Sequence, residues 1–274
     1  MKKQKNPPTP RVVYYRDALR DEFSTAVIEA KPIDAHYRYD RETGLRRILG
    51  GCLYRLVAVP LAWLYLKCKF RHKVVGKDKL KALKNSGAFL FGNHTQIIGD
   101  ALIPSFLRPP HKPSVIVHPN NVSMPVLGRA TPYLGALPLP DNMAATRNFT
   151  RVLEKRIRQN RLVVIYPEAH IWPYCTEIRP FTADSFLYPV KYDVPVYCFT
   201  NTYKQRKNPE KPQIVTYIDG PFYPDPALPL RERRKELRDR VHAAMTERAK
   251  RSDCTVVEYR KAPENGEENP EETV

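Results

Sequence analysis

Short apolar segments alternate with amphipathic ones along most of this chain, and no other feature restricts its fold as strongly. Seven segments are apolar and rich in β-branched residues, as strands buried on both faces of a sheet tend to be. The predicted strands are 73–76, 88–92, 114–118, 135–139, 162–166, 194–200 and 213–218. The predicted helices are 99–107, 143–160, 181–189 and 228–250. This alternation predicts a single α/β domain with a mostly parallel mixed sheet flanked by helices.

A nineteen-residue apolar stretch, residues 48–66, precedes this alternation and has Arg55 as its only charged side chain. A straight helix of that length is about 28 Å long, close to the thickness of a bilayer core. A core helix, a transmembrane helix and a helix inserted into one leaflet are the three interpretations. The third is favoured, because Gly50 and Pro60 weaken a straight span and Arg55 adds about 2.5–3.5 kcal/mol of insertion free energy at mid-bilayer.

The charge of the chain restricts its partners. The 46 Lys and Arg residues outnumber the 29 Asp and Glu residues, for a net charge of +17. Such a surplus predicts an anionic partner, either a phospholipid surface, a nucleic acid or a phosphate-bearing substrate, although a highly charged soluble surface is the alternative. The sequence has no zinc-finger spacing, RNP-type sequence or glycine-rich phosphate loop, which disfavours a nucleic-acid-binding protein. The five cysteines contain no Cys-x-x-Cys pair, which argues against a zinc site or a disulfide framework.

Changes in composition divide the chain into four parts. Residues 1–47 are basic and then aromatic without a sustained period, which predicts an irregular segment. Residues 48–70 are the predicted membrane-associated helix, and residues 71–251 hold the alternating strands and helices. Residues 252–274 are a C-terminal extension whose acidic end, 262–274, is predicted to be disordered.

The segment Gly-Asn-His-Thr-Gln-Ile-Ile-Gly-Asp-Ala, residues 92–101, follows a predicted strand. A histidine at the carboxyl end of such a strand lies where open α/β sheets place their sites. An acid close behind it, here Asp100, can hold the imidazole of His94 in one tautomer and leave the other ring nitrogen as a general base. A histidine that only caps the edge of the sheet is the alternative, and this segment alone does not decide between the two.

A second predicted strand ends abruptly in Pro-Glu-Ala-His at residues 167–170. The carboxylate of Glu168 is therefore paired with a cation, bound to a polar ligand or solvated in a loop. A basic turn, a short predicted helix and another apolar strand follow over residues 177–199.

These three segments, in this order, resemble the lysophospholipid acyltransferases of the glycerol-3-phosphate and 1-acylglycerol-3-phosphate type. The family's first motif, Asn-His-x-x-x-x-Asp, is matched by Asn93, His94 and Asp100. Its third motif, Phe-Pro-Glu-Gly-Thr-Arg, is matched in part by residues 166–168. The resemblance covers about residues 74–251 and, as a combination of motifs, is more specific than any one of them.

The sequence departs from the family's motifs in three places. Five residues separate His94 from Asp100, where the family has four. The second motif, Gly-x-x-Phe-Ile-x-Arg, begins at Gly135 but ends in Asp141, and the third motif has Ile171 in place of its arginine. The two missing arginines are those expected to bind the phosphate of the acceptor. Another guanidinium is therefore expected to bind that phosphate, or the acceptor lacks it.

The resemblance implies an acyltransferase that uses an acyl-CoA or acyl-carrier-protein thioester as co-substrate, with no other cofactor and no metal. The expected acceptor is a lysophospholipid, with 1-acylglycerol 3-phosphate as the default. His94 is the implied general base and Asp100 orients it, with N–H groups at the start of the next helix as the oxyanion site. The residues expected to bind the acceptor are Gly135, Arg147, Glu168 and Arg179. A surface salt bridge to Glu177 or Asp184 is the alternative role for Arg179.

The expected partners are the acyl donor, the acceptor and an anionic membrane surface, and no nucleic acid. The expected location is the cytoplasmic face of a membrane, by peripheral contact or by insertion into one leaflet. A catalytically altered, lipid-binding relative is the first alternative, and a basic nucleic-acid-binding protein is the second.

Overall fold

Nine strands are present in the computed structural model over the residues it describes, which are 9–24, 28–41, 43–125, 127–208 and 211–263. They are β1 (Arg11–Tyr15), β2 (Lys73–Val75), β3 (Ala88–Gly92), β4 (Ser114–Val117), β5 (Ala136–Pro138), β6 (Leu162–Ile165), β7 (Val196–Lys204), β8 (Gln213–Phe222) and β9 (Val257–Lys261). Strands β2 to β8 form one sheet in the order β2-β8-β7-β3-β6-β4-β5, and each neighbouring pair is parallel except β7 and β8. The predicted fold class is confirmed.

Helices cover both faces of this sheet. They are α1 (Gly44–Cys52), α2 (Val59–Phe70), α3 (Lys77–Lys81), α4 (Gly99–Leu102), α5 (Asn120–Ser123), α6 (Leu127–Leu134), α7 (Met143–Arg158), α8 (Leu187–Tyr192) and α9 (Leu230–Ala249). Short 3-10 turns follow α4 and precede α8, at Ile103–Phe106 and Asp184–Phe186.

Alternate residues of the central strands face opposite sides of the sheet, and each side has its own apolar cluster. Phe91 of β3 packs with Phe149 of α7 and Val241 of α9 on one side. Its neighbour Leu90 packs with Leu66 of α2 on the other side. The unbroken apolar sequences of β3 and β6 are explained by this arrangement, because every residue of both strands is buried.

A second, two-stranded sheet joins the two ends of the described chain, where β1 pairs in parallel with β9. This pairing corrects the prediction of an irregular segment over residues 1–47 at the positions of β1, whereas the described residues between β1 and Gly44 form no helix or strand. A strand whose only partner comes from the other end of the chain leaves no local pattern, because its hydrogen bonds are all long-range. Tyr15 and Tyr259 of the two strands pack against Trp172. Most of the predicted acidic end, residues 264–274, lies outside the described residues.

Residues 44–70 form one helix, which begins at Gly44 rather than at the predicted Ile48. A π-helical turn, Leu53–Ala58, joins α1 to α2 just before Pro60, where the missing proline N–H disturbs the regular ladder. In the described part of the chain, this is the helix long and apolar enough to cross a membrane by length and composition. Its residues buried against the domain are Gly50, Tyr54, Ala62, Leu66 and Phe70.

The wide remaining face of this helix is apolar and exposed. Its exposed apolar side chains are Leu45, Ile48, Leu49, Leu53, Leu56, Val57, Leu61, Trp63 and Leu64. The interpretation of residues 48–66 as a helix buried in a soluble core is therefore wrong. A contiguous apolar surface of this kind is typical of contact with lipid or with another protein.

Candidate active site

His94 and Asp100 form a hydrogen-bonded pair at the carboxyl end of β3. The Nδ1 atom of His94 lies 2.8 Å from Oδ2 of Asp100. The side chain of Asp100 is 2% exposed and that of His94 is 18% exposed, so the carboxylate is enclosed while the imidazole reaches the surface. An ionised carboxylate only accepts hydrogen bonds, so it selects the tautomer with the proton on Nδ1. The Nε2 atom of His94 is then free to accept a proton.

The loop between these two residues wraps around the carboxylate. Oδ2 of Asp100 also accepts the backbone N–H groups of Thr95 and Gln96, each at 2.8 Å. The side chains of Ile97 and Ile98 are exposed. The backbone N–H groups of Thr95 and Gln96 are therefore occupied, and the predicted oxyanion site, at the start of α4, begins further along the chain at Gly99. Burial raises the pKa of Asp100, and its hydrogen bonds act against that shift.

Tyr166 restrains the imidazole from one side. The two rings are stacked, with centroids 4.5 Å apart and an interplanar angle of 20°. The Tyr166 hydroxyl donates to the backbone carbonyl of Asp100 at 2.5 Å. Burial, together with the charge of Asp100, raises the pKa of Tyr166, so its side chain remains a neutral phenol. Tyr166 is only a partial motif match in the sequence, but in the structure its ring lies against His94.

Glu168 is buried behind His94 and paired with a cation. Its Oε2 accepts the backbone N–H of His94 at 3.1 Å and the guanidinium of Arg179 at 3.3 Å. Its Oε1 accepts the backbone N–H of Arg179 at 3.2 Å. Burial raises the pKa of Glu168, while the charge of Arg179 lowers it. Glu168 is therefore not a solvated loop carboxylate. Arg179 forms an enclosed ion pair with Glu168 instead of a surface salt bridge to Glu177 or Asp184.

The loop that carries Glu168 is held in place by two neighbouring parts of the chain. The guanidinium of Arg179 lies over the ring of Trp172, 4.6 Å from its centroid. The indole N–H of Trp172 donates to the carbonyl of Asp21 in the N-terminal segment at 2.8 Å. The backbone N–H of Trp172 donates to the carbonyl of His94 at 3.1 Å. The N-terminal segment therefore contributes to the geometry around His94.

Gly135 lies away from this cluster, and its predicted place in the acceptor site is corrected. Gly135 precedes β5, whereas His94 follows β3. Because β3, β6, β4 and β5 are parallel, Gly135 lies at the amino ends of these strands and His94 at their carboxyl ends. Its φ is +112°, and a Cβ atom there would lie 2.3 Å from the carbonyl oxygen of Pro113. A glycine is required at this position by the backbone.

Arg147 lies on the carboxyl-edge side of the sheet, in the second turn of α7, and is exposed. The helix begins shortly after β5 ends. Between them, Asp141 stands where the family's second motif has arginine, and its carboxylate accepts the N–H of Ile33 at 2.5 Å. Asp141 thus has a structural contact, and Arg147 remains an exposed guanidinium at this end of the domain.

Asn201 of β7 also contacts the pair of His94 and Asp100, although no sequence motif points to it. Its Nδ2 donates to Oδ1 of Asp100 at 3.2 Å. Its backbone N–H and carbonyl both bond to the side chain of Asn93, at 2.8 and 3.0 Å. The available signal is the sequence Thr-Asn-Thr at 200–202, a polar interruption of an apolar strand.

The part of the chain that carries this site is similar to known acyltransferases. Residues 71–201 match the model of the family described as Acyltransferase. No curated protein matches the chain. Among solved structures, the 1-acyl-sn-glycerophosphate (LPA) acyltransferase PlsC from Thermotoga maritima is similar, with 17% sequence identity and a TM-score of 0.51 over 78% of this chain and 85% of that chain. At this identity, the structural similarity shows a shared fold.

Proposed function

We propose, from the match of residues 71–201 to the acyltransferase family model, that the protein transfers a fatty acyl chain from a thioester to the hydroxyl of a lysophospholipid-type acceptor. The observation that carries the proposal is the pair of an enclosed Asp100 carboxylate and a partly exposed His94 imidazole, 2.8 Å apart. The donor is acyl-CoA or acyl carrier protein, used as a co-substrate without a further cofactor. The default acceptor is 1-acylglycerol 3-phosphate, in phospholipid biosynthesis or remodelling.

In the proposed reaction, Nε2 of His94 takes the proton of the acceptor hydroxyl while the hydroxyl oxygen attacks the thioester carbonyl. The tetrahedral intermediate collapses, the C–S bond breaks, and the imidazolium returns the proton to the leaving thiolate. Asp100 keeps Nδ1 protonated and stabilises the imidazolium. Direct attack is supported by the lack of a Gly-x-Ser-x-Gly elbow in the sequence, since such an elbow would supply a covalent nucleophile.

The remaining predicted site residues have two proposed roles. The side chains of Glu168 and Arg179 are both enclosed. Their proposed effect on acceptor binding is therefore indirect, because they hold the loop at residues 167–179 in its shape. Arg147 is the exposed guanidinium proposed to bind the acceptor phosphate, at the same edge of the sheet as His94. Guanidinium groups suit this task because their N–H groups match two phosphate oxygens at once.

The helix at 44–70 supports a membrane-bound location. Its buried stripe contacts the domain from Gly50, beside Tyr133, to Phe70 in the apolar cluster under the sheet. A 27-residue helix is about 40 Å long. A helix packed on the domain over this length cannot cross a bilayer unless the domain enters it too, which the polar loops of the domain would oppose.

We therefore favour insertion in the plane of one leaflet, with the exposed apolar face in the hydrocarbon. Arg55 is exposed on this helix and can reach lipid headgroups, as can Lys67 and Lys69 near its end. The net charge of +17 favours the anionic cytoplasmic face.

The test is transfer from radiolabelled oleoyl-CoA to a panel of lysophospholipids and glycerol 3-phosphate on anionic liposomes. His94→Ala should lower transfer by at least about 100-fold without changing liposome binding, since a general base contributes about 10²–10⁴-fold. His118→Ala is the matched control. His118 follows β4 at the same edge of the sheet, but its Nδ1 lies near the backbone N–H of Asn120, and it should retain wild-type activity.

Three results would contradict the proposal in different ways. Transfer that survives His94→Ala would remove His94 as the general base. A wild-type protein that binds liposomes but consumes neither acyl-CoA nor acyl carrier protein thioesters would favour the lipid-binding relative. Binding to DNA or RNA in preference to anionic liposomes would favour the nucleic-acid-binding protein.

A further inference from the structure

A chain of buried hydrogen bonds leads away from Asp100 on the side opposite His94. Oδ1 of Asp100 accepts from Nδ2 of Asn201 at 3.2 Å, and Oδ1 of Asn201 lies 2.6 Å from Oγ1 of Thr216. Oγ1 of Thr216 lies 2.9 Å from Nε2 of His72. The four residues linked in this way, Asp100, Asn201, Thr216 and His72, are all buried. This chain connects the candidate catalytic pair to a residue just beyond the helix at 44–70.

The chemistry of the end groups assigns a direction to every hydrogen bond in this chain. An ionised carboxylate only accepts, so Asn201 presents its amide N–H to Asp100 and its carbonyl oxygen to Thr216. Thr216 then donates its hydroxyl proton to Asn201 and accepts from Nε2–H of His72. Burial lowers the pKa of His72 to about 4, so its imidazole is neutral and can carry one proton on Nε2. Each donor therefore points toward Asp100.

The register of the sheet sets these contacts. Gly92, the last residue of β3, is paired with Phe199, so β7 continues beyond β3 and brings Asn201 alongside Asn93. The side chain of Asn93 bonds to the backbone N–H and carbonyl of Asn201. These hydrogen bonds take the place of the backbone bonds that a longer β3 would make to β7. In the antiparallel pair of β7 and β8, Asn201 is directly opposite Thr216.

His72 is attached to the end of the helix at 44–70. Its N–H donates to the carbonyl of Leu66 at 3.1 Å, and its carbonyl accepts from Nζ of Lys67 at 2.7 Å. Arg71 has a φ of +46°, and this left-handed residue ends the helix and turns the chain back toward the sheet. The position of the His72 imidazole therefore follows the position of the last helical turn.

We propose that Asn201, Thr216 and His72 are positioning residues that hold the Asp100 carboxylate, and through it the ring of His94, from the end of the helix at 44–70. This inference rests on the proposed acyl transfer. Loss of one member leaves a buried polar group without its partner and allows the carboxylate to reorient. The effect falls on the chemical step, because none of the three residues is exposed to substrate.

Thr216→Val tests the proposal, because it removes the hydroxyl and keeps the shape of the side chain. Thr216→Ser keeps the hydroxyl. Thr200→Val is the matched control, since Thr200 is a buried threonine next to Asn201 whose hydroxyl has no hydrogen-bond partner among the described residues. On anionic liposomes with oleoyl-CoA and 1-oleoylglycerol 3-phosphate, Thr216→Val should lower kcat about 10-fold with the donor KM changed less than about 2-fold.

Thr216→Ser and Thr200→Val should both stay within about 2-fold of wild-type kcat. A Thr216→Val variant with wild-type kcat would overturn the proposal. Equal losses in Thr216→Val and Thr216→Ser would overturn it too, because the hydroxyl would then not be the group that matters.

A second measurement does not depend on turnover. The proton NMR signal of Nδ1–H of His94, assigned by its loss in His94→Ala, reports the hydrogen bond to Asp100. We expect it to shift or broaden in Thr216→Val and to remain in place in Thr200→Val. An unchanged signal in Thr216→Val would overturn the proposal. A wild-type protein without transferase activity would contradict only the proposed function, and the NMR comparison would still decide the positioning role.

Discussion

The Nδ1 atom of His94 lies 2.8 Å from Oδ2 of Asp100, although five residues separate them along the chain. The same oxygen accepts the N–H groups of Thr95 and Gln96, so the loop closes around the carboxylate. Five intervening residues, two of them the exposed Ile97 and Ile98, therefore still leave Asp100 within hydrogen-bond distance of His94.

Asp100→Asn should lower kcat by about 10²–10⁴-fold, because an amide no longer holds Nδ1 of His94 protonated or stabilises the imidazolium. The measurement is steady-state transfer on liposomes, with the fold checked by circular dichroism. Asp184→Asn is the control, since Asp184 bonds only locally to Thr182. An Asp100→Asn variant with more than about a tenth of wild-type kcat would contradict the role of Asp100.

Tyr166→Phe and Tyr166→Leu separate the two contacts of this ring. Phe keeps the stacking on His94 and loses a hydrogen bond worth about 1 kcal/mol, so kcat should fall about 5-fold. Leu loses the stacking as well and should have a clearly lower kcat than Phe. Equal kcat values in the two variants would show that stacking does not restrain His94.

Arg179→Met should destabilise the fold by about 3–5 kcal/mol, because it leaves the buried Glu168 carboxylate without its cation. The free energy of unfolding is measured by urea titration. Arg158→Met is the matched control, since its partner Glu154 lies in an exposed i,i+4 pair worth less than about 1 kcal/mol. Adding Glu168→Gln to Arg179→Met should restore part of the stability, and a further loss instead would contradict the pairing.

Leu56→Gln combined with Leu61→Gln should weaken liposome binding by at least about 100-fold, since each exposed leucine contributes about 1.5–3 kcal/mol when it enters lipid. Flotation with anionic liposomes measures the effect, at low and high salt. Leu230→Gln is the control, because Leu230 is equally apolar and exposed but lies on α9. Loss of binding in Leu230→Gln alone would move the membrane contact to α9.

The stability of the protein should fall between about pH 6.5 and pH 4 as a consequence of His72. Burial and the charges of Lys67 and Lys77 lower its pKa from 6.5 to about 4, so below pH 6.5 the unfolded chain binds a proton that the folded protein does not. The stability present above pH 6.5 is lost through this window, by about 3 kcal/mol in total. Urea titrations at pH 7.5 and pH 4.5 check this. A wild-type pH dependence that His72→Gln leaves unchanged would be inconsistent with a buried neutral His72.

All seven predicted strands of the central sheet are present in the structure, and β3 and β6 are the clearest in sequence because every residue of both is apolar or glycine and buried. The position of His94 and Asp100 after β3 is also visible in the local sequence, whereas the role predicted for them comes from the resemblance to the family's motifs. Strand ends are less well predicted: β7 and β8 extend beyond the apolar segments because they form a long antiparallel ribbon that includes polar residues.

Sequence alone thus determined the fold class, the apolar helix and the placement of His94 and Asp100 in one loop after β3, because each depends on residues close together in the chain. Tertiary structure decided that Glu168 pairs with Arg179 and that Asn201 donates a hydrogen bond to Asp100. It also decided that Gly135 lies at the amino ends of the parallel strands, away from His94, and that β1 pairs with β9. These contacts depend on which strands are neighbours and on their register. Both are set by packing between segments that are distant in sequence, so the local pattern of apolar residues does not predict them.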